Sequence, residues 1–236
     1  MLKKLSKVFF LIALLSFSMV LAESELELVA PGGGEADLRK NKMNYYADGS
    51  NLAVANWGNF VLEAKLLEYR RGESKLDGKG MVKLTQKEPF RMLWSEQIFA
   101  DLNQDYFIAN GAVKVRYDEI TDFNGERLDW ESQTERFKLT GAVTVNYSEW
   151  KMTGEKVEGN LNTGLFVIYG SVQAINMENS IRAGRIIFDR PSDKMTLLEN
   201  PVVINGKNEL SATEIVYDFK TKKVSASGVV KSRVIE

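Results

Sequence analysis

The sequence predicts an all-β protein in which one long antiparallel sheet folds over on itself. Three observations predict it. A unit of about thirty residues recurs through most of the chain, apolar residues alternate on a period of two around each unit's anchor, and turn-forming residues separate the apolar runs. The anchors are Gly80, Gly111, Gly141, Gly170, Asn200 and Gly228, spaced by 31, 30, 29, 30 and 28 residues.

The chain begins with Lys3, Lys4 and Lys7, followed by an apolar run from Val8 to Ala22 broken only by Ser16 and Ser18. Val20 and Ala22 place small residues at −3 and −1 of a cut before Glu23. This is the layout of a cleavable signal peptide over residues 1–22, and it implies export. An uncleaved membrane anchor is the alternative, although the run is short of the roughly 20 residues that a span needs. Residues 23–40 include Pro31, Gly32, Gly33 and Gly34 and read as a flexible arm. Residues 41–236 then form one repeat domain. An early, shortened copy of the unit fits around Gly58, with Tyr45, Val54, Phe60 and Leu62 at matching offsets.

Within the six full units, Val82, Val113, Val143, Val172, Val202 and Val230 stand two places after the anchor. Thirteen places before it come Leu67, Ile98, Leu128, Val157, Ile187 and Ile215. Phe107, Phe137 and Phe166 stand four places before it in three units. Segments such as GAVKVRY (111–117) and GAVTVNY (141–147) are rich in β-branched residues, as pleated strands favour. Turn residues lie six to ten places before each anchor, as in DLNQD, ESQTE and NLNTG. Each unit is therefore two strands joined by short turns, which makes neighbours antiparallel. The total is roughly 13–16 strands. A mid-strand Gly permits a bend or bulge. Gly80, Gly111, Gly141, Gly170 and Gly228, recurring at one height, would fold the sheet so that the Val and Phe rows face inward. Asn200 tolerates the same backbone angles.

Composition narrows the chemistry. The 236 residues contain no Cys and no His, which removes disulfides, thiolate nucleophiles, Cys/His zinc sites and imidazole relays. Charge is nearly balanced, 31 basic against 32 acidic groups, or 28 against 32 without the signal segment. Nucleic acid is not expected as a partner, because phosphate binding needs a basic excess. Carboxylates remain available, and Glu96, Glu126 and Glu155 recur fifteen places before their anchors. Lys65, Arg185 and Thr213 fill the same offset in other units, so this row reads as a solvated face. No catalytic residue, metal site or cofactor is expected. Arg70, Arg71, Lys220, Lys222 and Lys223 fall in turns, where charge is ordinary.

Units such as LDWESQTERFKLTGAVTV (128–145) and ATEIVYDFKTKKVSASGVV (212–230) resemble the OstA-like repeat of periplasmic lipopolysaccharide-transport proteins. That family includes LptA-type bridges, LptC-type inner-membrane partners and the N-terminal domain of LptD. The resemblance runs from about residue 41 to 232 and implies an open, twisted antiparallel β-jellyroll with an apolar groove. The groove would hold the acyl chains of lipopolysaccharide, its lipid A part, in the periplasm. The lining would be the interior rows: Val82, Val113, Val143, Val172 and Val202; Phe107, Phe137 and Phe166; and Leu67, Ile98, Leu128, Val157, Ile187 and Ile215. Implied partners are other jellyroll Lpt proteins joined by edge-strand pairing, further copies of the chain joined head to tail and, indirectly, an inner-membrane ABC transporter complex and an outer-membrane translocon. The strand near 228–234 and the one near 43–46 are the expected edges. An LptC-like anchored protein is one alternative. An exported β-repeat protein, structural or acting on polysaccharide, is another.

Overall fold

The structure is a computed structural model that describes residues 25–234; the expected signal segment lies outside them. The described residues form twenty strand segments and no α-helix. The first six are β1 (Glu27–Val29), β2 (Gly34–Asp37), β3 (Lys42–Tyr46), β4 (Ala53–Trp57), β5 (Phe60–Ala64) and β6 (Leu66–Arg70). Eight long strands follow: β7 (Lys75–Gln86), β8 (Arg91–Asp101), β9 (Tyr106–Arg116), β10 (Thr121–Glu131), β11 (Arg136–Tyr147), β12 (Trp150–Asn160), β13 (Leu165–Ile175) and β14 (Asn179–Asp189). The last six are β15 (Lys194–Leu198), β16 (Val202–Asn205), β17 (Asn208–Ser211), β18 (Glu214–Asp218), β19 (Lys223–Ser227) and β20 (Lys231–Val234). Six consecutive pairs of the short segments are halves of one run broken at the bend, which leaves fourteen runs, within the expected range.

Every pairing is antiparallel, and the sheet has two faces. One face runs β1, β4, β5, the second half of β7, onward through alternate halves of the long strands to β14, then β16, β17 and β20. The other runs β2, β3, β6, the first half of β7, onward to β14, then β15, β18 and β19. The first and last runs do not pair with each other, so this is an open β-jellyroll built from repeats of about thirty residues. Between the faces lies a single apolar core that extends from Ala53 to Tyr217.

The bend is a bulge. In β11, Thr140 pairs with Lys156 and Val143 with Gly154, so Gly141 and Ala142 together oppose Glu155. Their φ angles are +86° and +43°. The same two left-handed residues recur at Gly80–Met81, Gly111–Ala112 and Gly170–Ser171. The extra residue turns β7, β9, β11 and β13 from one face into the other, and the long strands between them follow.

Several expectations are corrected by the structure. The fifth unit bends at Glu199 and Asn200 (φ +65° and +62°), so its anchor is Glu199 rather than Asn200. That one-residue shift reverses every side chain in the neighbouring strands. Val202 and Ile187 therefore face outward, Val202 paired beside exposed Arg182, while Val203 and Ile186 occupy the interior. Gly58 is no bend; it lies in the two-residue turn between β4 and β5. The first copy of the unit bends instead at Ala47, where a short loop to Leu52 interrupts the run. Residues 23–40 are not wholly an arm, because β1 and β2 pair with β4 and β3 and form the first edge of the sheet. The strand near 43–46 is consequently one run inside that edge.

The −15 row has a structural role that composition conceals. A Cβ on Gly141 would lie 2.5 Å from the Cβ of Glu126, and one on Gly111 would lie 2.5 Å from Glu96 Oε2. The residue at −15 thus lays its side chain across the bend of the adjacent strand. In the fifth unit the two residue types are exchanged: Glu199 makes the bend, and Gly184 lies beneath its side chain. In the first copy Gly32 lies against the Ala47 carbonyl in the same way.

Candidate functional site

The candidate site is the interior between the two faces. Of the expected lining, Val82, Val113, Val143, Val172, Phe107, Phe137, Phe166, Leu67, Ile98, Leu128, Val157 and Ile215 all lie there and are buried. Aromatic rings run along it in contact with one another. Trp57, Phe60, Phe107 and Trp130 form one group, with Phe107 and Trp130 centroids 5.1 Å apart. Phe123, Phe137 and Phe166 form the next, and Phe188 carries the chain of contacts to Tyr147, Phe219 and Tyr217. The pairs are tilted or edge-to-face, and such packing adds about 0.5–1.5 kcal/mol per pair beyond burial.

The interior is filled by these side chains. One internal cavity, lined by Leu84, Leu93, Leu128, Trp130, Phe137 and Arg91 among others, has a volume of about 20 Å³. That holds a water molecule and no acyl chain. Loading a larger ligand therefore requires the two faces to part.

They can part only along the seam where their turns meet, opposite the bulges. Six places before each anchor, counting Ala47 and Glu199 as anchors, stand Asn41, Ser74, Asp105, Glu135, Gly164, Asp193 and Lys222, all with positive φ. Each ends a tight turn. Most of their carbonyls accept from the next turn, as Ser132 N donates to Asp105 O at 3.0 Å and Leu161 N to Glu135 O at 2.8 Å. Six places after the anchors, on the opposite face, stand Gln86, Tyr117, Tyr147 and Asn176. The seam matches +6 of one unit with −6 of the unit two further on. Gln86 Nε2 donates to Glu135 Oε1 at 3.3 Å, Tyr117 packs at Gly164, and the Tyr147 hydroxyl donates to Asp193.

Two polar clasps hold this seam. In the first, Arg91 Nη1 donates to Glu135 Oε2 at 2.7 Å and to Gln86 Oε1 at 3.2 Å, Nη2 donates to Leu161 O at 2.9 Å, and the guanidinium carbon lies 5.3 Å from the Tyr117 ring centroid. In the second, Arg190 bridges Asp193 at 3.3 Å and Asp118 at 3.2 Å and lies over the Tyr147 ring, while Lys220 reaches Asp193 at 3.2 Å. Burial, then the bond to Asp193, pushes the Tyr147 hydroxyl up to about 12. The hydrogen bond from Tyr147, with help from Lys220 and Arg190, holds the Asp193 carboxyl below the usual carboxylate range.

Sequence reasoning found the apolar rows and missed the clasps. Their partners are 46 and 44 residues apart in the chain, and only the −6 and +6 offsets, read together across two units, carry a trace of them. The turn charges mostly face carboxylates: Arg70 meets Glu68 and Asp77, Lys220 meets Asp193, and Lys222 meets Glu149 at 3.8 Å. Among the described residues, no helix is long and apolar enough to cross a membrane.

No family model matches the chain, and no curated protein matches it in sequence. Among solved structures it is similar to LptH, the LptA-homologous periplasmic component of the lipopolysaccharide-transport device of Pseudomonas aeruginosa. The two share 15% identity at a TM-score of 0.45, over 48% of this chain and 94% of that one.

Proposed function

We propose that this chain is a periplasmic lipid-binding protein that carries lipopolysaccharide from the inner towards the outer membrane as part of a transenvelope bridge. The observation that carries this reading is the continuous apolar interior closed along one side only by polar turn contacts. Each acyl methylene moved from water into such an interior gains about 0.8 kcal/mol. The ion pairs at the rim return little net stability by comparison, because solvent screens the outer ones and desolvation offsets most of the attraction in the buried Arg91–Glu135 pair. The OstA-like resemblance of the repeats supports lipopolysaccharide as the lipid. The acyl chains lie between the faces, and the sugar-phosphate head stays outside the seam. The uncovered edges, β1 with β2 and β19 with β20, support docking to other jellyroll Lpt proteins or to further copies by strand addition. In this reading the signal segment is removed, which favours an LptA-like bridge over an LptC-like anchored component.

Photo-crosslinking in cells that make lipopolysaccharide tests the central point. Probes at Val143, Phe137 and Phe166 should capture the lipid, and probes at outward-facing Ile187 and Val202 should not. Equal capture from both sets, or none from the interior, removes the carrier reading. The mass of the mature protein checks the cut before Glu23.

A further inference from the structure

Buried charge is rare here. Among the described residues, the buried polar or charged side chains are Gln86, Arg91, Ser95 and Thr121, and two of them, Gln86 and Arg91, sit in one clasp. The Arg91 side chain is 8% exposed. It occupies a boundary. Arg91 and Met92 line the small internal cavity and also an outer cleft of about 720 Å³ between the β7–β8 and β9–β10 turns. The cleft carries the exposed ring of Phe90 together with Arg116, Tyr117, Asp118 and Glu119. Asp118 is engaged by Arg190 and Arg116 by Asp122. Behind Arg91 the cavity wall is apolar except for Gln86 and the indole of Trp130, whose buried N–H has no hydrogen-bond partner among the described residues.

A buried ion pair is a poor device for stability, because desolvation offsets most of the attraction. It is a good device where one partner is exchanged for another. Arg91 is held by the Glu135 carboxylate from the far side of the seam, and Glu135 sits in a left-handed conformation (φ +56°) at the end of an exposed turn. An anion that replaced Glu135 at Arg91 would remove the one ion pair that closes the seam there, leaving the weaker contacts of Gln86 with Glu135 and of Arg91 Nη2 with Leu161 O. It would meet a guanidinium fork suited to phosphate or carboxylate, with apolar walls behind it.

We propose that Arg91 is an exchangeable anion site at the mouth of the interior, where the phosphate or carboxylate of an incoming amphiphile displaces Glu135 and its apolar tail follows past Trp130 between the faces. The site rests on the carrier reading above and adds to it the place of admission and the selection of anionic amphiphiles over neutral ones.

The test uses the mature chain, its Arg91→Met and Glu135→Gln variants, and three probes below micelle-forming concentrations: dodecyl phosphate, dodecyl maltoside and inorganic phosphate. Calorimetric titration should show the wild type preferring dodecyl phosphate over the maltoside by about tenfold or more, as a charge-assisted contact supplies. Arg91→Met should bind both within about twofold of each other, because the interior remains while the fork is gone. Glu135→Gln removes the competing anion and should bind dodecyl phosphate several-fold more tightly, with the maltoside unchanged. A phosphate preference that survives Arg91→Met overturns the site and leaves the carrier reading standing, as does a Glu135→Gln variant with no gain. Inorganic phosphate binding as tightly as dodecyl phosphate also overturns it, by showing a plain anion site. If neither amphiphile binds any of the three proteins, the site and the carrier reading fall together.

Discussion

At the scale of single residues, the bend is fixed by two demands that fall on one position. Gly141 has φ +86°, and the side chain of Glu126 lies where its Cβ would be. Gly141→Ala should cost about 1–2 kcal/mol from the backbone alone and more from the collision. Glu126→Gly in the same chain should recover the collision part and leave the backbone part, because Ala or any larger residue at 126 keeps the offending Cβ. Chemical denaturation of the two variants checks this, and a double variant no more stable than Gly141→Ala would dismiss the stacking between −15 and anchor. The same pair explains where the sequence misleads. Glycines at 80, 111, 141, 170 and 228 are visible because the bend selects for Gly. In the fifth unit the stacking demand is met by Gly184 instead, so Glu199 can make the bend and nothing in its residue type announces it. Asn200, one place later, is the residue that propensity singles out, and taking it as the anchor turns Ile187 and Val202 to the wrong face. With Glu199 as the anchor, the place four before it, where Phe107, Phe137 and Phe166 stand in other units, is held by buried Met195, whereas Asn200 as anchor puts the polar Thr196 there.

At the scale of elements, strands were legible and their closure was not. Period-two alternation is a local signal, and it located the long strands from β7 to β14 and most of the interior rows. The seam depends on which turn of one face meets which turn of the other, a consequence of strand tilt that no local pattern records. Its electrostatics can be tested at the Tyr147–Asp193 clasp. The Asp193 carboxyl titrates below its unfolded value, so its contribution is present above the ordinary carboxylate range and is lost as pH falls through the lowered value. The Tyr147 hydroxyl titrates at about 12 against 10.0 for an unperturbed tyrosine, so its contribution is complete below pH 10.0 and is lost as pH rises towards 12. The clasp is therefore weakened from both ends of the scale. Unfolding free energy of the wild type should fall in both windows. Tyr147→Phe should flatten the alkaline limb, and Asp193→Asn the acid limb, when urea midpoints are followed against pH. Limbs unchanged in both variants would mean that the clasp is too weak to hold the seam.

At the scale of the whole molecule, the parity of the sheet decides how it can be extended. Fourteen runs alternate in direction, so the first and the last point opposite ways. The first run passes from β1 on one face to β2 on the other; the last returns from β19 on β2's face to β20 on β1's face. A second copy set beside the first can thus continue both faces at once, β20 against β1 and β19 against β2, with every junction antiparallel as in the interior. An odd number of runs would force a parallel junction and break the hydrogen-bond pattern. All four residues of β2 and of β20 are exposed, and Val229, Val230 and Val234 add uncovered apolar surface at the last edge. The charges on these edges are of opposite sign, Glu27, Glu35 and Asp37 on the first and Lys223, Lys231 and Arg233 on the last, so they oppose pairing of like edges and favour the first against the last. Light scattering behind size exclusion should show a mass that rises with protein concentration in the wild type. Ser232→Pro at one edge or Ala36→Pro at the other, where the Ala36 N–H faces away from β3, removes a backbone donor, and each should cap growth, while an equal mixture of the two should still form dimers through the intact edge of each. Assemblies that persist when both substitutions are in one chain would place the contact elsewhere than on the strand edges.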